Sequence, residues 1–152
     1  MAVVIKVDEG FFVAPQIDAS AIEELRAAGI VAIINNRVDG EEPEQPTAAD
    51  ASAAFERLGF RYHHLPVTMA TLSPEIVERF RSAWQETEGP VLAYCRSGMR
   101  SMLLWALAEA RYGTRSAAEI LTKAEAAGFD LSSADKLLQQ VAAMRRPGVE
   151  LP

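Results

Sequence analysis

Cys95 is the only cysteine in the chain, and two arginines, Arg96 and Arg100, stand within five residues of it. Ser97, Gly98 and Met99 lie between the arginines and Ser101 follows them. The apolar run 90–94 before this stretch reads as a buried strand, and 102–112 after it as a buried helix. At a strand-to-helix turn, N–H groups of the loop and of the first helical turn lack internal partners, so they converge on an anion at the turn's centre. A thiolate at the head of the loop is itself that anion, or lies beneath one. Gly98 lets the backbone close tightly, and the arginines favour the nucleophilic thiolate. A lone cysteine at the end of a core strand is ordinarily a small hydrophobe. Two arginines and a glycine beside it turn the reading toward chemistry.

The elements that must position this loop follow from the patterning. Runs 3–7 and 11–14 are short and apolar, and they read as a hairpin or two short edge strands. Asp18 or Ser20 caps a helix through Ala28 with Gly29 as its stop, and 30–34 is a strand apolar enough for a sheet buried on both faces. Thr47 caps the next helix, which stops at Gly59. Run 60–65 is a strand of period two, so His63 and His64 face opposite sides, as packed or surface histidines rather than bases paired with Cys95. Ser73-Pro74-Glu75 starts a helix to about Gln85 that carries Ile76, Phe80 and Trp84 inward. The helix after the cysteine loop is apolar nearly all round and belongs at the centre. Ser116 caps a further helix and Ser132 or Ser133 a last one, to Met144, with a frayed tail from Arg145 onward. The fold class is α/β: a central, mostly parallel sheet of four or five strands with helices on both faces.

The longest polar loop, 35–46, begins where a strand ends, the usual place for ligand loops in open α/β sheets. Its first residues, Asn36 and Arg37, could reach an anion site from a neighbouring strand end. The alternative is a polar turn with a solvated acidic tip.

With 152 residues the chain suits a single catalytic domain, 1–145, plus a tail, 146–152. One cysteine and two histidines supply neither a disulfide nor a structural zinc site, and no metal or organic cofactor is expected. The start lacks a leader pattern and no apolar run approaches membrane length, which makes the cytoplasm the default location. A net charge of −6 argues against nucleic acid or anionic membrane as a partner.

Residues 94–101 resemble the active-site loop of single-domain rhodaneses, and also the phosphate loop of cysteine-dependent tyrosine and dual-specificity phosphatases. The order Ile33-Ile34-Asn35-Asn36-Arg37, Gln45-Pro46, Gly59-Phe60-Arg61-Tyr62, Leu65-Pro66-Val67 and Tyr94-Cys95-Arg96-Ser97-Gly98 is similar to one family, as is 126–131 near the end. That family is the beta-lactamase hydrolase-like, phosphatase-like domain, which is also described as a sulfur transferase. The resemblance implies a phosphatase-type fold and leaves the reaction open.

Two features favour sulfur transfer. Four residues separate Cys95 from Arg100, where the phosphatase signature has five, and a shorter loop suits one extra sulfur better than a phosphoryl group. The loop after Leu65-Pro66-Val67 offers Thr68, Met69 and Ala70 where phosphatases of this type carry an aspartic acid, and Asp39 and Asp50 read as solvated or capping. Tyr94 also stands where the signature has histidine. The leading expectation is a sulfurtransferase that takes sulfane sulfur from thiosulfate or a persulfide through a Cys95 persulfide and passes it to a thiol acceptor. Arg100, with Arg96, binds the anionic donor, residues 96–101 cradle it, and Ser101 hydrogen-bonds the thiolate. The alternative is a phosphatase-like hydrolase acting on a phosphoester through a phosphocysteine. A third reading is a non-catalytic domain that senses persulfide or oxidant.

Overall fold

The two leading apolar runs pair with each other. β1 (Ile5–Asp8) and β2 (Phe11–Ala14) are antiparallel, with a register shift between Lys6 and Asp8. The computed structural model describes residues 4–145, so Val3 of the first predicted run and the predicted tail, 146–152, lie outside the described residues. β3 (Ala32–Asn35), β4 (Arg61–His64) and β5 (Val91–Tyr94) complete a five-stranded sheet of order β1-β2-β5-β3-β4. β2, β5, β3 and β4 run parallel, so their carboxyl ends lie together.

Caps follow the side chains that the sequence offers. Asp18 accepts the Ser20 N–H and opens a 3-10 turn, Ala19–Ala21, that leads into α1 (Ile22–Ala27). Thr47 caps α2 (Ala48–Arg57), Ser73 caps α3 (Pro74–Gln85), and Ser116 with Glu119 forms a reciprocal capping box on α5 (Ala117–Ala126). α4 (Met99–Tyr112) begins at Met99, three residues earlier than hydrophobicity alone places it. Gly98 ends the loop in a left-handed conformation, so helix geometry starts at once with Arg100 and Ser101 already inside it.

The last helix departs further. Neither Ser132 nor Ser133 caps it: both fall in a 3-10 turn, Ser132–Ala134, and α6 (Asp135–Ala142) follows with no side-chain cap. Arg145 is not frayed, because its guanidinium donates to the carbonyls of Gly113 and Arg115 beyond the end of α4.

Strand alternation divides the core into two layers. Phe11, Val13, Ala32, Ile34, Val91 and Ala93 face α3, α4, α5 and α6. Ala14, Ile33, Leu92 and Tyr94 face α1 and α2, where Leu25, Phe55 and Phe60 cover them. Trp105 and the α4 residues around it are fully buried, which puts the helix that follows the cysteine loop at the centre. Among the described residues no helix is long and apolar enough to cross a membrane.

Candidate active site

β5 is the middle strand of the sheet, and Cys95 is the residue that leaves it. The neighbouring strand ends hold that exit in place. The Cys95 N–H donates to the carbonyl of Ala14, the last residue of β2, at 3.3 Å, and the Asn36 N–H donates to the Tyr94 carbonyl at 2.9 Å. Cys95 is 1% exposed, and its sulfur accepts the Gly98 N–H at 3.1 Å. That bond requires the left-handed turn at Gly98, with φ of 95°. The N–H groups of Arg100 and Ser101, in the first turn of α4, have no intrahelical acceptor and point to the same side as the helix dipole's positive end.

Arg100 is held by two partners. Its Nη1 donates to Glu41 Oε2 at 2.6 Å and to the Val67 carbonyl at 2.9 Å, and its Nη2 donates to Glu41 Oε1 at 2.8 Å. A guanidinium has five N–H donors in a fixed plane. Three are used here, at the end and on the far side. Nε–H and the second hydrogen of Nη2 form the other side edge of the fork, the geometry that receives two oxygens of an oxyanion, and a side-chain hydrogen bond with Cys95 also draws the guanidinium toward the sulfur. The Cys95 thiol lies on the field of the same guanidinium and contributes to raising the Arg100 pKa, after the larger effect of Glu41.

The remaining predicted residues divide. Arg96 projects into solvent, with its nearest ion pair to Glu42 at 3.8 Å. Ser97 is exposed and caps the Met99 N–H through its hydroxyl at 3.3 Å, and Met99 points outward. Ser101 is fully buried, but its proton goes to Asn36 Oδ1 at 2.8 Å, not to the thiolate. A hydroxyl has one hydrogen to give, so the predicted Ser101–thiolate bond is corrected: the backbone N–H of Gly98 takes that role. Asn36 donates in turn to the Leu65 carbonyl at 3.0 Å, which ties the loops after β3 and β4 to α4.

Arg37 does not present its charge to the anion site. Its side chain is 1% exposed, with Nε on Glu41 Oε1 at 2.9 Å, Nη1 on Gln16 Oε1 at 2.6 Å and Nη2 on Glu42 Oε1 at 2.7 Å. The acidic loop 35–46 stays exposed at Asp39, Gly40 and Glu44, but the Glu41 carboxyl folds back onto Arg100 at the head of α4. Hydrogen bonds from Arg100 first, then from Arg37, hold the Glu41 carboxyl down to about 2, against burial. Glu41 is the residue of this cluster that patterning does not single out. The available signal is three acids, Asp39, Glu41 and Glu42, within five residues of an arginine just past a strand end.

Other titratable groups are committed elsewhere. Asp39 Oδ1 accepts the Ala48 N–H at the start of α2 at 2.9 Å. His64 Nε2 contacts the Arg37 carbonyl oxygen at 2.7 Å. Burial lowers the His63 pKa, and burial pushes the phenol of Tyr94, paired with Tyr62 at 2.7 Å, far above its ordinary value.

A cysteine loop at the carboxyl end of the middle strand, running into a buried helix beneath a clamped arginine, defines a cysteine-based, phosphatase-like α/β protein. The chain belongs to the family described as beta-lactamase hydrolase-like protein, phosphatase-like domain, whose profile matches residues 4–112. The Beta-lactamase hydrolase-like protein of Agrobacterium fabrum is 33% identical over 139 residues, which are 91% of this chain and 32% of that protein. The chain thus spans about a third of the length of the curated relatives it matches. A Neisseria meningitidis Z2491 structure provisionally named a phosphatase is 38% identical with a TM-score of 0.80, covering 90% of this chain and 96% of that one. TpbA from P. aeruginosa, solved in complex with pTyr, shares the fold at 16% identity and a TM-score of 0.61, over 93% of this chain and 95% of its own.

Proposed function

We propose that the chain is a phosphoester hydrolase that works through a phosphocysteine on Cys95. The observation that carries this reading is the placing of Arg100: Glu41 and Val67 fix one end of its guanidinium, and the guanidinium shares the head of α4 with the Cys95 sulfur, to which it is hydrogen-bonded. Membership of a phosphatase-like family supports it, and reverses the order of the two reactions expected from the loop length and the missing acid.

In the first step the Cys95 thiolate attacks phosphorus, a sulfur–phosphorus bond forms and the phosphorus–oxygen bond to the leaving group breaks with its electron pair. Arg100 Nε and Nη2 hold two of the phosphoryl oxygens, and loop N–H groups hold the third. Water then attacks phosphorus and releases inorganic phosphate and the thiolate. Among the described residues, neither Glu41, which is ionised, nor Asp39, which caps α2, stands ready to protonate the leaving oxygen. The preferred substrates are therefore aryl phosphomonoesters, whose phenolate leaves without a strong acid. The test is phosphate release from p-nitrophenyl phosphate by wild type and Cys95→Ser. Release confined to wild type supports the reading, and equal rates contradict it.

The ionised Glu41 and the four-residue spacing from Cys95 to Arg100 favour a second reading, sulfur transfer. Here the thiolate attacks the outer sulfur of thiosulfate, the sulfur–sulfur bond breaks, sulfite leaves with the electron pair, and a thiol acceptor later removes the sulfane sulfur. Sulfite needs no proton to depart. A stable gain of one sulfur atom on Cys95, without phosphate release from aryl esters, distinguishes this reading.

A further inference from the structure

Glu41 accepts four hydrogen bonds, as many as a carboxylate has lone-pair positions. Oε1 takes Arg37 Nε and Arg100 Nη2, and Oε2 takes Arg100 Nη1 and the Val38 N–H at 3.2 Å. Without Arg37, the pair of Glu41 and Arg100 would keep only the Val38 N–H and the Val67 carbonyl as anchors, which leaves its two flexible stems more freedom. Arg37 removes that freedom because it is anchored itself. Its N–H donates to Asn35 Oδ1 at 2.9 Å, its carbonyl oxygen meets His64 Nε2, and its Nη1 is bound by Gln16, so the ends of β2, β3 and β4 all hold it.

We propose that Arg37 is a positioning residue for Arg100: acting through Glu41, it fixes which edge of the Arg100 guanidinium is turned toward Cys95. The proposal rests on the reading of Cys95 and Arg100 as an oxyanion site. It explains why a buried arginine, costly to desolvate, stands two residues beyond a strand end next to that site. A lysine has no planar fork and cannot hold Glu41, Glu42 and Gln16 at once. Glu42 repeats the arrangement on the other side in weaker form, between Arg37 at 2.7 Å and the exposed Arg96 at 3.8 Å.

The experiment compares wild type, Arg37→Lys and Glu41→Gln as full chains, each well below its melting temperature. Two quantities are read: kcat and KM on p-nitrophenyl phosphate, and the NMR signal of the Arg100 Nε–H with and without inorganic phosphate. Misplacing a reacting group by about 1 Å costs about 100-fold. The expected result is a fall in kcat of about 10- to 100-fold in both variants, larger than the change in KM, with a shifted Arg100 Nε–H signal that responds less to phosphate. Glu41→Asp, which keeps the charge, recovers part of the kcat lost by Glu41→Gln. A lowered melting temperature with kcat and the Arg100 signal both unchanged overturns the proposal, because Arg37 is then only a structural hub. If wild type shows no Cys95-dependent phosphate release, the proposed reaction fails, and the Arg100 signal alone decides the positioning claim. If Arg37→Lys does not fold, Glu41→Gln, on the partly exposed side of the relay, carries the same two readouts.

Discussion

Gly98→Ala probes the turn that places a backbone N–H on the Cys95 sulfur. The glycine has φ of 95°, a region that costs an L-residue about 1–2 kcal/mol. An added Cβ would stand 3.0 Å from Phe129 Cζ and 3.5 Å from the Ala14 carbonyl oxygen. The ring, carried by the connection between α5 and α6, must give by a few tenths of an ångström, which adds up to about 1 kcal/mol. The sum is about 1–3 kcal/mol, and for a domain of this size that lowers the melting temperature by ~2–12 °C. Activity should fall further than stability, because relaxing φ turns the Gly98 N–H away from Cys95 Sγ, now 3.1 Å from it. Thermal melts and aryl phosphate kinetics on Gly98→Ala, Phe129→Leu and the double variant separate the contributions. In the double variant the steric part is relieved and the φ part stays, so melting temperature recovers partly and kcat does not. A Gly98→Ala protein with wild-type melting temperature and wild-type kcat would refute the reasoning, since the loop would then close without the left-handed turn.

Three further outcomes follow from the same geometry. Across a series of phosphomonoesters, kcat should fall steeply as the leaving group becomes more basic, with alkyl esters nearly inert; a flat series would reveal a general acid. Ser101→Ala leaves the buried Asn36 Oδ1 without its donor and should cost about 1–3 kcal/mol in urea unfolding. Glu41 is held at about 2 in the folded chain against 4.5 ordinarily, so its pairing stabilises fully above about pH 4.5, and this stabilisation is lost as pH falls through about 2. The stability gap between wild type and Glu41→Gln should therefore shrink between pH 7 and pH 3, whereas a constant gap would mean that Glu41 is not ion-paired.

Features fixed by neighbouring residues were legible in the sequence. Thr47, Ser73 and Ser116 cap their helices because each hydroxyl reaches a backbone N–H three residues on, a bond that needs no tertiary partner. The cysteine loop was legible for the same reason: strand, Gly98 and helix are contiguous. What escaped was set at long range. Arg37 and Glu41 look like a solvated turn until Arg100, 59 residues after Glu41, arrives at the end of the adjacent strand. Ser101 was assigned to the thiolate by proximity in sequence, but Asn36, 65 residues away, takes its proton. The weak cap of α6 was misread because serines suggest capping, while Asp130 accepts the Ser132 N–H and turns the chain one step earlier.

The central claim is that Cys95 carries a phosphoryl group during turnover. Its most direct test is rapid acid quench of the wild-type chain during hydrolysis of p-nitrophenyl phosphate, followed by intact-protein mass, with a parallel sample given thiosulfate. The account predicts a phosphorylated Cys95 adduct that is absent in Cys95→Ser and disappears as phosphate is released. A persistent gain of a single sulfur in the thiosulfate sample, with no phosphoryl adduct and no phosphate release, would contradict it and assign the loop to sulfur transfer.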